Sequence, residues 1–191
     1  MSDLLQRARA LGPSLADRSE RIEANRTLPA DVVADLADAE LFRLLTPTDL
    51  GGPELDVATA IDVIAEVSRH DGAAGWCVMI AGTTSLQAGF LPLDVATLIF
   101  GPADSCVGGY AAPVGRAVAV EGGLRVTGTW AWGSGTHHCT WIGGGTRLVD
   151  DDGAPLRRDD GLFAPFTFFH PDDVEFLDTW YVTGLAGSDS G

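Results

Sequence analysis

The sequence predicts an α+β chain, with an all-α domain over residues 1–101 followed by a small β domain over residues 102–191. Three observations carry that prediction. Apolar residues recur at helical spacing through the first hundred positions, Gly101-Pro102 closes the last such stretch, and beyond it come short runs broken by Gly-rich turns. At 191 residues, 46% hydrophobic and 20% charged, the chain is long enough to bury a proper core.

The elements follow in order. Leu11, Leu15 and Ile22 share one side of a charged helix that ends near Arg26. Leu28-Pro29-Ala30-Asp31 reads as the next helix start, with Pro in the first turn and Asp31 complementing the dipole. Val32, Val33, Leu36 and Leu41 continue that element, which Thr46-Pro47 is expected to end. After the loop Gly51-Gly52-Pro53 comes the clearest helical pattern. Val57, Ala60, Ile61, Ile64, Ala65 and Ser68 form its expected buried stripe, and Asp62, Glu66 and Arg69 its wet face. Asp71 is placed to cap the following helix, with His70 beside it. Residues 72–93 contain no charge, but they carry four Gly, several Thr, Ser and Gln, and Pro92, and they lack flanking Arg. A helix buried in a globular domain is the expectation, not a membrane span. A last helix over residues 93–100 stops at Gly101-Pro102.

In the β half, 114–120 and 124–132 read as two strands joined through Glu121-Gly122-Gly123. Residues 139–142, 146–149, 162–169 and 174–177 are further expected strands. The acidic run 150–152 before Gly153 reads as a solvated turn, because a Ca²⁺ loop needs alternating ligands and a distal Glu.

All 12 cationic residues are Arg, set against 27 acidic residues, for a net charge of −15. That balance argues against a sequence-independent hold on nucleic acid or an anionic membrane. Cys77, Cys106 and Cys139 have no zinc or redox spacing and read as small buried residues in a reducing compartment. With Asp3 early and no long apolar run at the start, the expected location is cytoplasmic. No P-loop or Rossmann glycine pattern and no nucleophile elbow is present.

Two stretches carry the chemistry: GGYAAPVGR at 108–116 and LRVTGTWAWGSGTHHCTW at 124–141. Trp130 and Trp132 alternate with Ala131 and are expected on one face of a strand. Ser134 sits between glycines that let a planar ligand approach the backbone. A stacking wall beside a hydroxyl donor suits a flavin ring. The plainer reading is a Gly-Ser-Gly turn with core tryptophans.

These stretches, together with LFRLLTPTDLGG at 41–52, SRHDGAAGW at 68–76 and DTWYVTGLAGSDS at 178–190, resemble the acyl-CoA dehydrogenase superfamily. The likeness runs along nearly the whole chain, and the five pieces stand in the family's order. It implies a helical domain followed by a small β-barrel-like or β-sandwich domain, with the family's C-terminal helical bundle missing from this sequence. Two branches compete. Dehydrogenases carry Leu-Thr-Glu-Pro where Tyr110, Ala111, Ala112 and Pro113 stand here, so the flavin-contacting hydroxyl is absent. Their Trp-Ile-Thr is matched by Trp132, Gly133 and Ser134. Trp-Ala-Trp-x-Ser-Gly with Asp-x-Trp near the end looks more like the two-component flavin-dependent monooxygenases. Those enzymes take reduced flavin from a separate reductase and use O₂ to hydroxylate an aromatic or steroid-like substrate.

The resemblance implies FAD or reduced FMN as cofactor and a homo-oligomer in the full-length protein. It places Tyr110, Trp132, Ser134 and Gly135 against the flavin, with Ser134 as the catalytic hydroxyl, and Trp76 and His138 in the substrate pocket. Trp130 is left between core and flavin. His137 and His138 are expected to face opposite ways, so that at most one is a candidate base. Thr183, Gly184, Ser188 and Ser190 match a family loop that binds flavin phosphates or closes the pocket. An acyl-CoA dehydrogenase fragment and a non-catalytic remnant or interaction module stay open as alternatives. The sequence reads as a fragment or truncation, with catalysis not expected of it alone.

Overall fold

The computed structural model describes residues 3–150, 152–158, 161–162 and 165–191. Its first helix, α1 (Asp3–Asn25), buries Leu4, Leu5, Ala8, Leu15 and Ile22 on one face. Arg26 ends it in the left-handed region, at φ 56°. α2 (Ala30–Asp38) follows, burying Val32 and Leu36. It stops well short of Thr46-Pro47, because Glu40 turns left-handed at φ 59°. The residues after that turn, Leu41, Phe42 and Leu44, drop into the core from irregular backbone.

α3 (Val57–His70) starts at Asp56, whose carboxylate accepts the Thr59 N–H. Its buried residues are Ala60, Val63 and Val67; of the expected stripe Ala60 is buried and Ile64 packs partly buried on the core. Val57 and Ile61 are exposed, while the Glu66 carboxylate is half-buried between Arg9, Arg69 and His70. The helix carries two overlapping apolar stripes, and α1 and the next helix, which both pack on it, cover the one through Val63 and Val67. A Cβ on Gly12 of α1 would lie 2.3 Å from His70 Nε2, so the two helices cross at van der Waals contact there.

α4 (Gly72–Thr84) begins as expected at Asp71, which accepts the Ala74 N–H at 2.7 Å and also the Ser19 hydroxyl at 2.6 Å. One face is buried through Ala73, Ala74, Cys77, Val78 and Ala81. The opposite face leaves Trp76 exposed and Met79 and Ile80 half-exposed. The uncharged segment is therefore no single long helix. It passes into a 3₁₀ stretch (Ser85–Phe90) and then α5 (Leu93–Phe100). Among the described residues no helix is long and apolar enough to cross a membrane.

The β half is a four-stranded sheet in the order β2-β1-β3-β6, with a two-stranded pair β4-β5 beside it. β1 spans Val107–Val120 and β2 Gly123–Thr127, and they form the expected hairpin about Glu121-Gly122. β1 begins seven residues earlier than expected, and its parallel register with β3 (Trp141–Val149) shifts between Tyr110 and Gly115. That bulge absorbs Ala111, Ala112 and Pro113, where Pro forfeits no ladder bond. Gly109, at φ 145°, lies so close to β3 that a Cβ would overlap the Gly143 carbonyl. β3 merges the two strands expected at 139–142 and 146–149. β4 (Arg157–Arg158), β5 (Gly161–Leu162) and β6 (Phe166–Phe169) complete the set. The expected strand 162–169 is thus split, with residues 163–164 outside those described, as is Asp151 of the acidic turn. That turn closes through Gly153 N–H to the Asp150 carbonyl. Residues 174–177 are irregular and not a strand.

The main core joins α1–α4 to Cys106, Cys139 and Ile142 at the foot of the sheet. A second cluster packs Ile99 and Phe100 of α5 on Val107, with Trp141 and Phe168 against it. All three cysteines are buried free thiols. Burial raises the Cys77 thiol pKa far above its usual value, as suits a packing residue. Among the described residues no group of His, Cys, Asp or Glu is placed to hold a metal ion.

Candidate functional site

The expected strand 124–132 ends at Thr127, and the tryptophans separate. Trp130 turns towards the sheet, donating its indole N–H to the Gly145 carbonyl at 2.9 Å and packing on Phe169 at 5.4 Å between ring centroids. Trp132 is thrown outwards and is 63% exposed, with the Tyr110 ring edge-on at 6.0 Å. The cause is local: Trp132 adopts φ 61°, a conformation uncommon for a bulky residue. The alternation that would put both rings on one face needs extended backbone, and this segment does not supply it.

Ser134 follows two residues on, its N–H donating to the Trp132 carbonyl at 3.0 Å. Its hydroxyl accepts the Trp76 indole N–H at 2.8 Å and stands 2.7 Å from the Ser190 hydroxyl, itself 2.8 Å from that of Ser188. Backbone bonds run alongside, from Gly133 N–H to the Gly191 carbonyl and from Gly135 N–H to the Ser188 carbonyl. Gly135 is left-handed at φ 67°, as are Leu185 and Asp189 flanking the 3₁₀ turn Ala186–Ser188. Residues 133–135 and 188–191 are therefore clamped together by hydroxyls and peptide groups, with Trp76 of α4 bolted to the same point. Each hydroxyl has one proton to give. If the chain runs from Ser188 through Ser190 to Ser134, the Ser134 proton remains free for a further acceptor.

The site residues form two pairs, Trp132 with Tyr110 and Ser134 with Trp76 of α4, linked by the Ser134 N–H bond to the Trp132 carbonyl. Ile80 adds to them, at 3.4 Å from where a Gly108 Cβ would lie. Gly135 serves the clamp, its conformation setting the turn. His138 goes elsewhere. It sits behind the turn against Phe42, at 5.7 Å between rings, and its buried Nδ1 has no hydrogen-bond partner among the described residues. Burial, helped by neighbouring His137, pushes its pKa down to about 4, so the imidazole is neutral. Thr183 and Gly184 are exposed, whereas Ser188 and Ser190 are buried in the hydroxyl chain.

The other side of the turn borders a cleft of about 980 Å³ between the sheet and residues 170–191. Trp130, Trp141, Phe168 and Phe169 form its aromatic walls, and Tyr110, Gly133 and His137 stand at its edge. Trp76, Trp132, Ser134, Gly135 and His138 do not border it. The two histidines face different ways as expected, although on a 3₁₀ turn (Thr136–His138) and not on a strand. His137 is the outward one. Its Nδ1 pairs with Asp189 and its ring stacks on Phe176 at 4.2 Å. Nearby, Arg26 holds Asp178 at 2.7 Å and lies over the Tyr181 ring, and this holds the Asp178 carboxyl down at about 2. Nothing local in the sequence marks Asp189, because its partner is 52 residues away and only the fold joins them.

Residues 5–92 match the family described as acyl-CoA dehydrogenase, N-terminal domain. The chain is 30% identical over 191 residues to the pigment production hydroxylase of Rhodococcus sp. (strain ATCC 21145), covering 99% of this chain and 47% of that protein. It is 32% identical over 180 residues to the oxygenase subunit HsaA, a flavin-dependent monooxygenase of Mycobacterium tuberculosis, covering 93% and 44%. Among solved structures, XiaF from Streptomyces sp., in complex with FADH2 and glycerol, superposes with a TM-score of 0.90 at 29% identity, over 98% of this chain and 46% of that one. The 3-HSA hydroxylase from Rhodococcus sp. RHA1 gives 0.89 at 28%, over 99% and 48%. The chain thus spans about half the length of the relatives it matches.

Proposed function

We propose that this chain, which belongs to the acyl-CoA dehydrogenase superfamily on the side of its flavin-dependent monooxygenases, supplies the N-terminal and middle parts of an oxygenase component. The domain boundary falls near Gly101. The reaction is hydroxylation of an aromatic or polycyclic substrate by O₂ and reduced FAD or FMN. A separate reductase delivers the flavin, in the cytoplasm, to a homo-oligomer of the full-length protein.

The observation that carries this reading is the arrangement of Trp132. An indole held at a left-handed φ and 63% exposed is costly unless something covers it. The residues fit a flavin ring. Trp132 and Tyr110 offer an apolar wall, Trp76 and Ile80 a dry flank, and Ser134 one proton when the hydroxyl chain runs towards it. When bound, the flavin supplies the redox chemistry. The chain's own part is to hold the ring's edge at Ser134 and to keep water from that edge with Trp76 and Trp132.

Anaerobic titration of the purified chain with oxidised and reduced FAD and FMN, read by fluorescence quenching, tests this. Tighter binding of the reduced form, lost in Trp132→Ala and weakened in Ser134→Ala, is the expected result. Preference for oxidised FAD in both titrations would overturn the hydroxylase reading in favour of a dehydrogenase.

A further inference from the structure

We propose that a row of arginines on the sheet face turned away from the aromatic cleft binds the phosphoryl groups of a small diphosphate-bearing molecule. The row is Arg116, Arg125 and Arg147, with Arg157 at its end. It is a site of its own and does not depend on the hydroxylase reading.

The arginines of this acidic chain fall into two groups. Every one from Arg7 to Arg69 has a carboxylate at 3.8 Å or closer. Arg116, Arg125, Arg147 and Arg157 are exposed, and among the described residues their side chains have no ion pair and no hydrogen bond. With 27 acidic residues in the chain, four open guanidiniums reflect a local arrangement and not a shortage of counter-charge.

The strand register brings them together. Gly115 of β1 stands opposite Thr146 of β3, and a Cβ on Gly115 would meet Trp130 at 2.4 Å, so these positions face the cleft. Tyr110 pairs with Gly144, on the same side as Thr146. Arg116 and Arg147 come next on their strands, are register partners, and by alternation face the other way. Arg125 of β2 pairs with Val118, two residues on from Arg116 and so on the same face. Its neighbours Leu124 and Val126 border the cleft, as alternation requires. Arg157 follows two residues after the Val149–Pro155 bridge, on the side of β3 away from β1. Three adjacent strands, spaced about 5 Å apart, thus carry one guanidinium each on a single face.

Like charges side by side on neighbouring strands repel, so the row is relieved when an anion lies between its members. Guanidinium forks match phosphate oxygens two at a time, and a phosphoryl group brings more charge and more acceptor oxygens than a carboxylate. A diphosphate can reach guanidiniums on neighbouring strands at once, which a single carboxylate cannot. Long polyanions are disfavoured, because the chain's net charge of −15 repels whatever extends beyond the row. Acids of the neighbouring turn temper the site without closing it. Arg116 Nη2 lies 3.7 Å from where a Gly153 Cβ would stand, so the side chain reaches that turn. Asp150 there accepts the Ala154 N–H at 2.8 Å, and Asp152 is exposed.

Calorimetric titration of the purified chain with inorganic pyrophosphate, in the absence of flavin, tests this separately from the hydroxylase reading. The native chain should bind the probe, and more weakly as salt rises. Arg116→Gln and Arg147→Gln should each weaken binding by about tenfold, and the double variant should abolish it. Arg147→Lys keeps the charge without the fork and should fall between native and Arg147→Gln. Asp152→Asn should tighten binding, and Arg18→Gln, whose guanidinium is paired with Asp31 and Asp35, should leave it unchanged. ADP should compete with pyrophosphate, and a glutamate-rich peptide should not. No binding, full affinity in the double variant, or equal competition by the peptide would each overturn the proposal. Reduced-flavin binding should persist in the double variant. Its loss there would assign the row to the flavin's own phosphate and overturn a separate site.

Discussion

Leu15, Ile22, Val32, Leu36 and Phe42 are buried among one another with no polar group to satisfy, whereas residues 130–141 and 185–191 are held by hydroxyls, carbonyls and strained backbone. The two regions also treat large apolar groups in opposite ways. The helical half buries most of its own, apart from Val57 and Ile61 on α3, Trp76 on α4 and a few around α5. The turn-bearing half leaves Trp132, Phe176, Tyr181 and Leu185 exposed. Left-handed residues occur in both, Arg26, Glu40 and Glu54 in the first and Trp132, Leu185 and Asp189 in the second. The first region is a scaffold whose stability comes from excluded water. The second is pre-organised, its side chains aimed before any ligand arrives, at a cost the scaffold must carry.

Variants on each side of that divide should separate cleanly. Phe42→Ala removes a fully buried ring from the scaffold and should cost about 3–5 kcal/mol, read by denaturant unfolding. A loss under about 1 kcal/mol would break the comparison, since it would mean the helical half is not carried by packing.

His138→Phe sharpens the comparison at the seam between the regions. The native imidazole titrates near 4 in the folded chain against 6.5 unfolded, so the unfolded chain takes up the proton first as pH falls. Its contribution is complete above pH 6.5 and is lost progressively towards pH 4, by up to about 3 kcal/mol. Phe has no proton to take up and can keep the contact with Phe42. The difference between native and variant stability should therefore move in the variant's favour across that window. A pH-independent difference would show that His138 is not held neutral by the fold.

The smallest effect belongs to the rim. Asp178→Asn removes the partner of Arg26 on a solvated surface, so global unfolding should be unchanged within error. Backbone hydrogen exchange in residues 178–185 should nonetheless rise. Unchanged exchange would mean that this stretch is held by something other than Arg26.

Much of the helical half was legible in the sequence because its signals are local. Asp71 caps α4 through a neighbour three residues away, and α5 ends where Gly101-Pro102 says it must. α3 was legible as a helix but not in its orientation, because both of its apolar stripes satisfy the same periodicity and only its packing against α1 and α4 chooses between them. The Trp-Gly-Ser-Gly turn was visible as a place of interest, and its geometry was not. Whether Trp130 and Trp132 share a face depends on one left-handed φ, which a bulky residue adopts only when distant contacts enforce it. His137 likewise offered no sign of Asp189.

The clamp also has a consequence in time. Ser134 and Ser190 are separated by 56 residues, so the hydroxyl chain cannot close until the sheet and the segment after it have been brought round. Local helical contacts form early and long loops close late. During synthesis the helical half can pack while Trp132 still has no fixed direction, and the aromatic face takes its working shape last.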